Sequence, residues 1–165
     1  MKMLVVLLLA ALFSTPAEGK LVGKCELKTL LEEAELKNCH SRITNEDFVA
    51  KIVCHVAEGT GFNTSAVSQR TRPDSDTWTL YGLFQLSDHL ICDSGAGDSP
   101  NLCDINCSDL IDDNVANDIT CLETIKTKFQ SGDYDHHKAD FVRMIHILFQ
   151  RECYDVVAST YFADC

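Results

Sequence analysis

The sequence predicts an α+β fold that is mostly helical and has a small antiparallel sheet. Apolar residues recur at helical spacing in four segments, two near the start of the chain and two in its last third. The segment between these pairs is instead rich in β-forming residues. Nine cysteines are spread along the chain, and in an exported protein cysteines are expected to form disulfides.

The first 19 residues are predicted to be a secretory signal peptide. A lysine precedes an unbroken apolar run over residues 3–13, and small residues follow it, so cleavage is expected before Lys20. The run is too short for a membrane-spanning helix, which needs about 20 residues. We therefore expect a single domain over residues 20–165 in a secreted, extracellular protein that does not cross a membrane.

The first two predicted helices precede the sheet. Residues 24–37 carry leucines on one face and predict an amphipathic helix. Thr44 followed three residues later by Asp47 is typical of a helix start. The apolar stripe of this second helix begins at Phe48, and the sequence GTGF ends it.

The sheet and two further helices follow. Residues 71–86 include the sequence TWTLYGLFQL, which predicts a short hairpin. Residues 93–101 are rich in Asp, Ser, Gly and Pro and predict a loop. Apolar periodicity then predicts helices over residues 115–129 and 139–153.

The net charge excludes one class of partner. The chain has 25 acidic and 14 basic residues and a formal net charge of -11. Non-specific binding to nucleic acid is driven by cationic side chains that displace counterions from phosphate, so no nucleic-acid partner is expected. The same charge repels anionic bacterial surfaces at long range.

The cysteine pattern, together with the sequence YGLFQLSDHLIC, resembles the C-type lysozyme and α-lactalbumin superfamily. The similarity extends from KCEL to the last cysteine, and the ending YFADC resembles insect members. The resemblance implies a helical lobe, a small sheet lobe and four disulfides that contribute about 2 to 4 kcal/mol each. The implied pairs are Cys25 with Cys165, Cys54 with Cys153, Cys92 with Cys107 and Cys103 with Cys121.

Two features depart from the family pattern. The stretch between Cys121 and Cys153 is longer than in the family, so its local geometry is not carried over. Cys39 is additional and has no family partner. It is interpreted either as a buried or capped thiol or as the site of an intermolecular bridge in a disulfide-linked dimer.

The resemblance also identifies where catalytic groups are expected. A retaining glycosidase needs one carboxylic acid with a raised pKa and one ionised carboxylate. The family acid stands five residues after Cys54 and three before Phe62, and both counts reach Gly59. The second carboxylate directly precedes Tyr81, where this chain has Leu80. Both catalytic positions therefore lack a carboxylate.

Two neighbouring acids define the alternative hypothesis. Glu58 precedes the expected position by one residue, and one residue along a helix rotates a side chain by about 100°. We therefore interpret Glu58 as a solvated surface acid. Asp76 is the nearest acid upstream of Leu80, on a predicted turn. The alternative is an active muramidase that hydrolyses peptidoglycan with Glu58 and Asp76 as relocated carboxylates.

The predicted sugar platform is reduced. Lysozymes stack saccharides on tryptophans just before the cysteine that is here Cys92, but this chain has Leu90 and Ile91 there. Aliphatic side chains offer no flat ring for stacking. Gln85 is retained from the family cleft, although sheet and core packing explain its segment equally well. The primary hypothesis is therefore a secreted, non-catalytic pseudoenzyme that binds a glycan or a secreted protein, in immunity or regulation.

The segment DLIDDNVANDITC matches the family's calcium loop. The resemblance implies backbone ligands at Asp109 and Asn114 and side-chain ligands at Asp112, Asn117 and Asp118, with Ca²⁺ in a structural role. Asn117 stands where the family has an aspartate, so one charge is lost while an oxygen is kept. The other interpretation is a solvated acidic helix start.

Two glycosylation sequons are present in this predicted secreted chain. Asn63 begins the sequence NTS, and Asn106 begins NCS. Asn63 is the predicted site, because the cysteine in the second sequon is expected to form a disulfide.

Overall fold

The structure is a computed structural model that describes residues 19–34, 36, 43–71, 77–97 and 99–165. Within these residues the helices are α1 Lys24–Glu33, α2 Asn45–Thr60, α3 Val115–Ser131, α4 Lys138–Leu148 and α5 Ala158–Tyr161. The strands are β1 Val67–Thr71, β2 Thr77–Tyr81 and β3 Leu86–Ser87. Short 3₁₀ turns occupy Cys107–Leu110, Asp135–His137 and Arg151–Cys153. The α+β prediction is confirmed. The predicted signal peptide, except Gly19, lies outside the described residues.

The start and end of α2 follow from local sequence. The Thr44 hydroxyl accepts a hydrogen bond from the Asp47 amide at 3.1 Å, as the capping pattern predicts. Gly61 ends the helix in the left-handed conformation, with φ 57°, and its N–H donates to the Ala57 carbonyl. The last predicted helix is shorter than expected, because Phe149 leaves the helical conformation directly after α4.

The three strands form one antiparallel sheet in the order β1-β2-β3. Residues along β2 alternate in burial, so Trp78 and Leu80 face the interior while Thr77 is exposed. The turn after β2 contains Gly82, with φ 73°. A Cβ there would collide with the Leu110 carbonyl oxygen, so the close approach of these two segments requires glycine.

Four disulfides join the pairs that the family resemblance implies. Two of them close long loops, because Cys25 and Cys165 are 140 residues apart and Cys54 and Cys153 are 99 apart. These two bridges fix α1 and α2 to the C-terminal segment and narrow the unfolded ensemble. Cys39 lies outside the described residues. No helix in the described part of the chain is long and apolar enough to span a bilayer.

The long stretch between Cys121 and Cys153 forms a helical hairpin packed by aromatic rings. α3 ends at Gly132, which has φ 71°, and α4 returns after a short 3₁₀ turn. Phe141 is fully buried and stacks on Tyr134, with ring centroids 4.6 Å apart, and on Phe129 at 6.3 Å. This packing holds α4 against α3 and the turn between them.

Candidate functional site

Gly59 lies on the side of α2 that faces the sheet lobe. A Cβ at this position would be 3.6 Å from Gln85 Cγ and 3.9 Å from His55 Cε1, which are ordinary van der Waals distances. Gly59 is itself exposed. We call the region between α2 and the turn after β2 the groove. At the position where the family has its acid, Gly59 therefore contributes only backbone atoms to the groove.

Glu58 is exposed, and its charge acts on a different part of the molecule. The pKa of Tyr161 in α5 is raised mainly by burial and further by the negative charges of Glu58 and Asp164. The carboxylate of Glu58 is therefore near enough to α5 to influence its tyrosine. The other carboxylate of the muramidase hypothesis, Asp76, lies outside the described residues.

Leu80 is part of the hydrophobic core and is only 1% exposed. Its backbone pairs with Ser68 on β1 and with Ser87 on β3. Leu80 is thus in the central strand of the sheet, with an aliphatic side chain that has no acid-base chemistry. An ionised carboxylate in its place would have to be desolvated in the same apolar surroundings.

Gln85 has its polar atoms satisfied by the sheet lobe. It is 3% exposed, and its Oε1 accepts a hydrogen bond from the Ser68 hydroxyl at 2.5 Å. Its Nε2 donates to the Gly82 carbonyl at 2.9 Å and to the Ala66 carbonyl at 3.3 Å. Gln85 therefore acts as a structural tie between β1 and the turn after β2.

His55 is a buried polar group that the sequence reasoning missed. It is 2% exposed, and its Nε2 contacts the Phe84 carbonyl at 3.0 Å. A carbonyl can only accept, so Nε2 carries the proton and Nδ1 is left as an acceptor with no partner among the described residues. Burial lowers the pKa of His55, and the positive charge of Arg70 lowers it further. The hydrogen bond to the Phe84 carbonyl raises the pKa but does not offset these effects. A histidine inside the apolar stripe of α2 was the available signal.

Trp78 joins the two lobes instead of presenting a sugar-stacking face. It is 0% exposed, and the guanidinium carbon of Arg143 lies 3.8 Å from its ring centroid. The His89 ring stacks on the indole at 5.0 Å, and His89 Nε2 is 3.7 Å from a carboxylate oxygen of Asp140. Arg143 and Asp140 both belong to α4. The helical hairpin therefore closes over the indole and leaves none of it exposed to a saccharide.

The two aliphatic residues before Cys92 are also unavailable to a ligand. Leu90 and Ile91 are both 0% exposed and belong to the core. At these family positions the chain therefore offers a saccharide neither an aromatic face nor an accessible surface.

The calcium-loop residues form a partly connected polar cluster. Asp118 is 2% exposed, and its Oδ1 has no hydrogen-bond partner among the described residues. Burial raises the pKa of Asp118 to about 8, with a further increase from the charge of Asp112. Asn117 Nδ2 donates to the Asp109 carbonyl at 3.0 Å, and its Oδ1 accepts from the Asp118 amide at 2.9 Å. Asp112 Oδ1 accepts from the Asn114 amide at 2.7 Å.

The fit of this cluster to a cation depends on Asn117. The unpartnered oxygen of Asp118 suits a hard cation, but Asn117 turns an N–H group toward a carbonyl that the cation would need. A half-turn of that amide would exchange Nδ2 for Oδ1, but it would break the hydrogen bond that Oδ1 accepts from the Asp118 amide. Among the described residues no three His, Cys, Asp or Glu side chains converge on one point.

The sequon asparagines differ in their hydrogen bonds. Asn63 is half-buried, and its Oδ1 accepts from the Ser65 amide and hydroxyl, both at 3.0 Å. Asn106 Nδ2 donates to an Asp109 carboxylate oxygen at 3.2 Å, and Cys107 in the same sequon is disulfide-bonded. Glycosylation of Asn63 stays a prediction.

Comparisons with known proteins agree on one family. The model of the C-type lysozyme/alpha-lactalbumin family matches residues 20–144. Sperm acrosome-associated protein 5 of Mus musculus is 31% identical over 128 residues, which is 78% of this chain and 74% of that protein. Lysozyme c-1 of Anopheles gambiae is 35% identical over 109 residues, which is 66% of this chain and 68% of that protein. The crystal structure of lysozyme from Equus asinus superposes with a TM-score of 0.62 at 26% identity and covers 88% of this chain and 98% of that chain.

Proposed function

Because the chain belongs to the C-type lysozyme/alpha-lactalbumin family, we propose that it is a secreted, non-catalytic member that acts by binding. One observation carries this proposal: Gly59 faces the groove where the family acid stands, while the position of the second carboxylate is occupied by the buried Leu80. Glycoside hydrolysis with retention needs two carboxyl groups about 5 Å apart across the sugar bond. Glu58, near Tyr161, does not replace the acid.

We favour a protein partner over a glycan in the groove. Trp78 is covered, and Leu90 and Ile91 are buried. Sugar recognition in a cleft relies on exposed aromatic faces and on free hydrogen-bonding groups. Gln85, the retained cleft residue, uses its hydrogen bonds within the sheet lobe. These contacts disfavour a glycan, and the role that we propose is therefore a regulatory or immune one through a secreted protein partner.

Calcium enters the proposal as a structural cation. Backbone carbonyls of Asp109 and Asn114 and side chains of Asp112, Asn117 and Asp118 would hold it. Its charge would stabilise the ionised form of Asp118, which burial disfavours. Thermal melting with millimolar Ca²⁺ and with a chelator tests this, because a ligand of the native state raises the melting temperature. No difference between the two melts would remove calcium from the proposal.

Hydrolysis and binding assays test the main proposal. We expect no turnover of peptidoglycan or chitooligosaccharide above a blank by the disulfide-bonded protein. Clear turnover that Glu58→Gln and Asp76→Asn abolish would instead establish the muramidase alternative. A binding screen against immobilised peptidoglycan, chitin oligomers and co-secreted proteins then separates the partner classes. Saturable binding of a glycan with no protein partner would contradict the preference for a protein.

A further inference from the structure

Side chains make the described polar and aromatic contacts between α4 and the sheet lobe. Arg143 of α4 contacts Trp78 of β2. Asp140 of α4 contacts His89, which follows β3. No backbone hydrogen bond among the described residues joins α4 to the sheet lobe. The strength of this junction therefore depends on the chemistry of these four side chains.

The disulfides do not fasten α4 directly. The helix lies between two bridged cysteines, Cys121 on α3 and Cys153, and residues 122–152 contain no cysteine. A segment that is held by side-chain packing and a few polar contacts opens at a lower free energy than a disulfide-linked core. Polar contacts to the sheet lobe can therefore change how often α4 opens, while its apolar face stays in the core through Phe141, Met144 and Leu148.

His89 is the titratable member of this junction on the sheet side. Its Nε2 is 3.7 Å from a carboxylate oxygen of Asp140, and its ring stacks on the indole of Trp78 with an interplanar angle of 16°. The side chain of His89 is 43% exposed, so protons from solvent reach it. Histidine is the side chain whose charge ordinarily changes between about pH 5 and pH 8. Protonation turns the contact with Asp140 into an ion pair and the stack on the indole into a cation–π contact.

The other charged groups around His89 act in two directions. Asp88 precedes it in the chain, and its Oδ1 accepts a hydrogen bond from the Thr79 amide at 3.0 Å, so this carboxylate belongs to the sheet lobe whether α4 is docked or not. Arg143 arrives with α4 and opposes a second positive charge. The described contact of Arg143 is with the indole at 3.8 Å, whereas Asp140 meets the imidazole itself. The attraction to Asp140 therefore outweighs the repulsion by Arg143.

We propose that His89 and Asp140 form a proton-dependent latch that holds α4 on the sheet lobe. Acidification strengthens the latch and keeps Trp78 covered. A higher pH removes the charge of His89 and lets the junction open more often, which gives access to the face of the sheet beneath α4. The latch involves none of the groove residues Gly59, Gln85 and His55, so this inference is independent of the proposed function.

A double-mutant cycle of His89→Gln and Asp140→Asn tests the latch. Urea unfolding of the four disulfide-bonded proteins gives the coupling between the two side chains at about pH 5 and about pH 8. At the lower pH the coupling should change the unfolding constant by about two- to fivefold, as for a partly exposed ion pair. At the higher pH no coupling is expected. The titration of His55 is common to all four proteins, so its effect cancels. Equal coupling at both pH values, or none at either, would overturn the proposal.

Hydrogen exchange shows whether the pair acts on α4. At about pH 5, Asp140→Asn and His89→Gln should each lower the protection factors of the α4 amides by about two- to fivefold, and at about pH 8 neither should change them. His146→Gln is the matched control, because it removes another exposed histidine of α4, and it should change protection at neither pH. A loss spread equally over α1 and α4 would overturn the proposal, because the pair would then contribute to global stability and not to a local latch.

Discussion

Replacing Gly59 with alanine tests the geometry of the groove directly. Glycine in a helix costs roughly 0.5–1 kcal/mol relative to alanine. A Cβ at this position would be 3.6 Å from Gln85 Cγ and 3.9 Å from His55 Cε1, so a methyl group fits without movement of either side chain. Because Gly59 is the next-to-last residue of α2, we expect the lower end of that range, about 0.5 kcal/mol of stabilisation. The melting temperature should then rise by about 1–3 °C.

Gly59→Glu extends the same test to chemistry. It restores a carboxyl group at the family position but places a negative charge at a helix C-terminus, which costs about 0.3–1 kcal/mol. We expect a fold of nearly unchanged stability and no hydrolysis of chitooligosaccharide, because Leu80 supplies no second carboxylate. Urea unfolding measures the stability, and release of reducing sugar measures the turnover.

Two outcomes would refute this reasoning. A loss of more than about 1 kcal/mol in Gly59→Ala would mean that the sheet lobe approaches α2 more closely than these contacts indicate. Turnover by Gly59→Glu would mean that another carboxylate, such as Asp76, reaches the groove. The exposed substitution Glu58→Gln in the same background is the control, because it should change neither result.

Three further predictions concern stability. Burial lowers the pKa of His55 below its ordinary 6.5, so the unfolded chain binds more protons and stability should fall below about pH 6.5. The free energy of unfolding of His55→Gln, measured in urea, should therefore fall less between about pH 7.5 and pH 5 than that of the unmodified protein. The same fall in both proteins would contradict this prediction. Leu80→Ala should cost about 2–5 kcal/mol as a core truncation in the same assay, and a loss below about 1 kcal/mol would show that Leu80 is not packed as described. Asp113 Oδ1 accepts hydrogen bonds from the Lys20 amide and the Thr64 hydroxyl, both at 2.9 Å. In protein cleaved before Lys20, Asp113→Asn should therefore lower the melting temperature, and the loss should be smaller at high salt because salt screens the charge. An equal loss at all salt concentrations would exclude a charge effect.

The sequence predicted the features that depend on local pattern. The cap at Thr44 is formed within four residues, and the β-forming residues of the predicted hairpin include strand β2. The family resemblance supplied the disulfide pairs. The contact of Arg143 with Trp78 could not be predicted, because it joins residues 65 positions apart through a hairpin longer than the family pattern. The orphaned nitrogen of His55 was missed for a similar reason, since its surroundings come from the sheet lobe.

The structure describes some of the candidate site residues and not others. The structure describes Gly59, Leu80 and the calcium-loop residues in full, and it shows that the amide of Asn117 turns its N–H toward a carbonyl assigned as a ligand. The sequence identifies Asn117, but it does not specify which way the amide turns, because that depends on the neighbouring backbone groups. Cys39 and Asp76 lie outside the described residues, so their predicted roles stay predictions.

Trp78 is the chain's single tryptophan, so intrinsic fluorescence reports on this one position. The indole sits where the sheet meets α4, so its emission should report separation of those two parts before the disulfide-linked helices unfold. A red shift that precedes the loss of helical circular dichroism during heating would identify the junction as the first region to open. Binding of a partner that separates the sheet from α4 would then change the tryptophan emission, and it could be measured without a label.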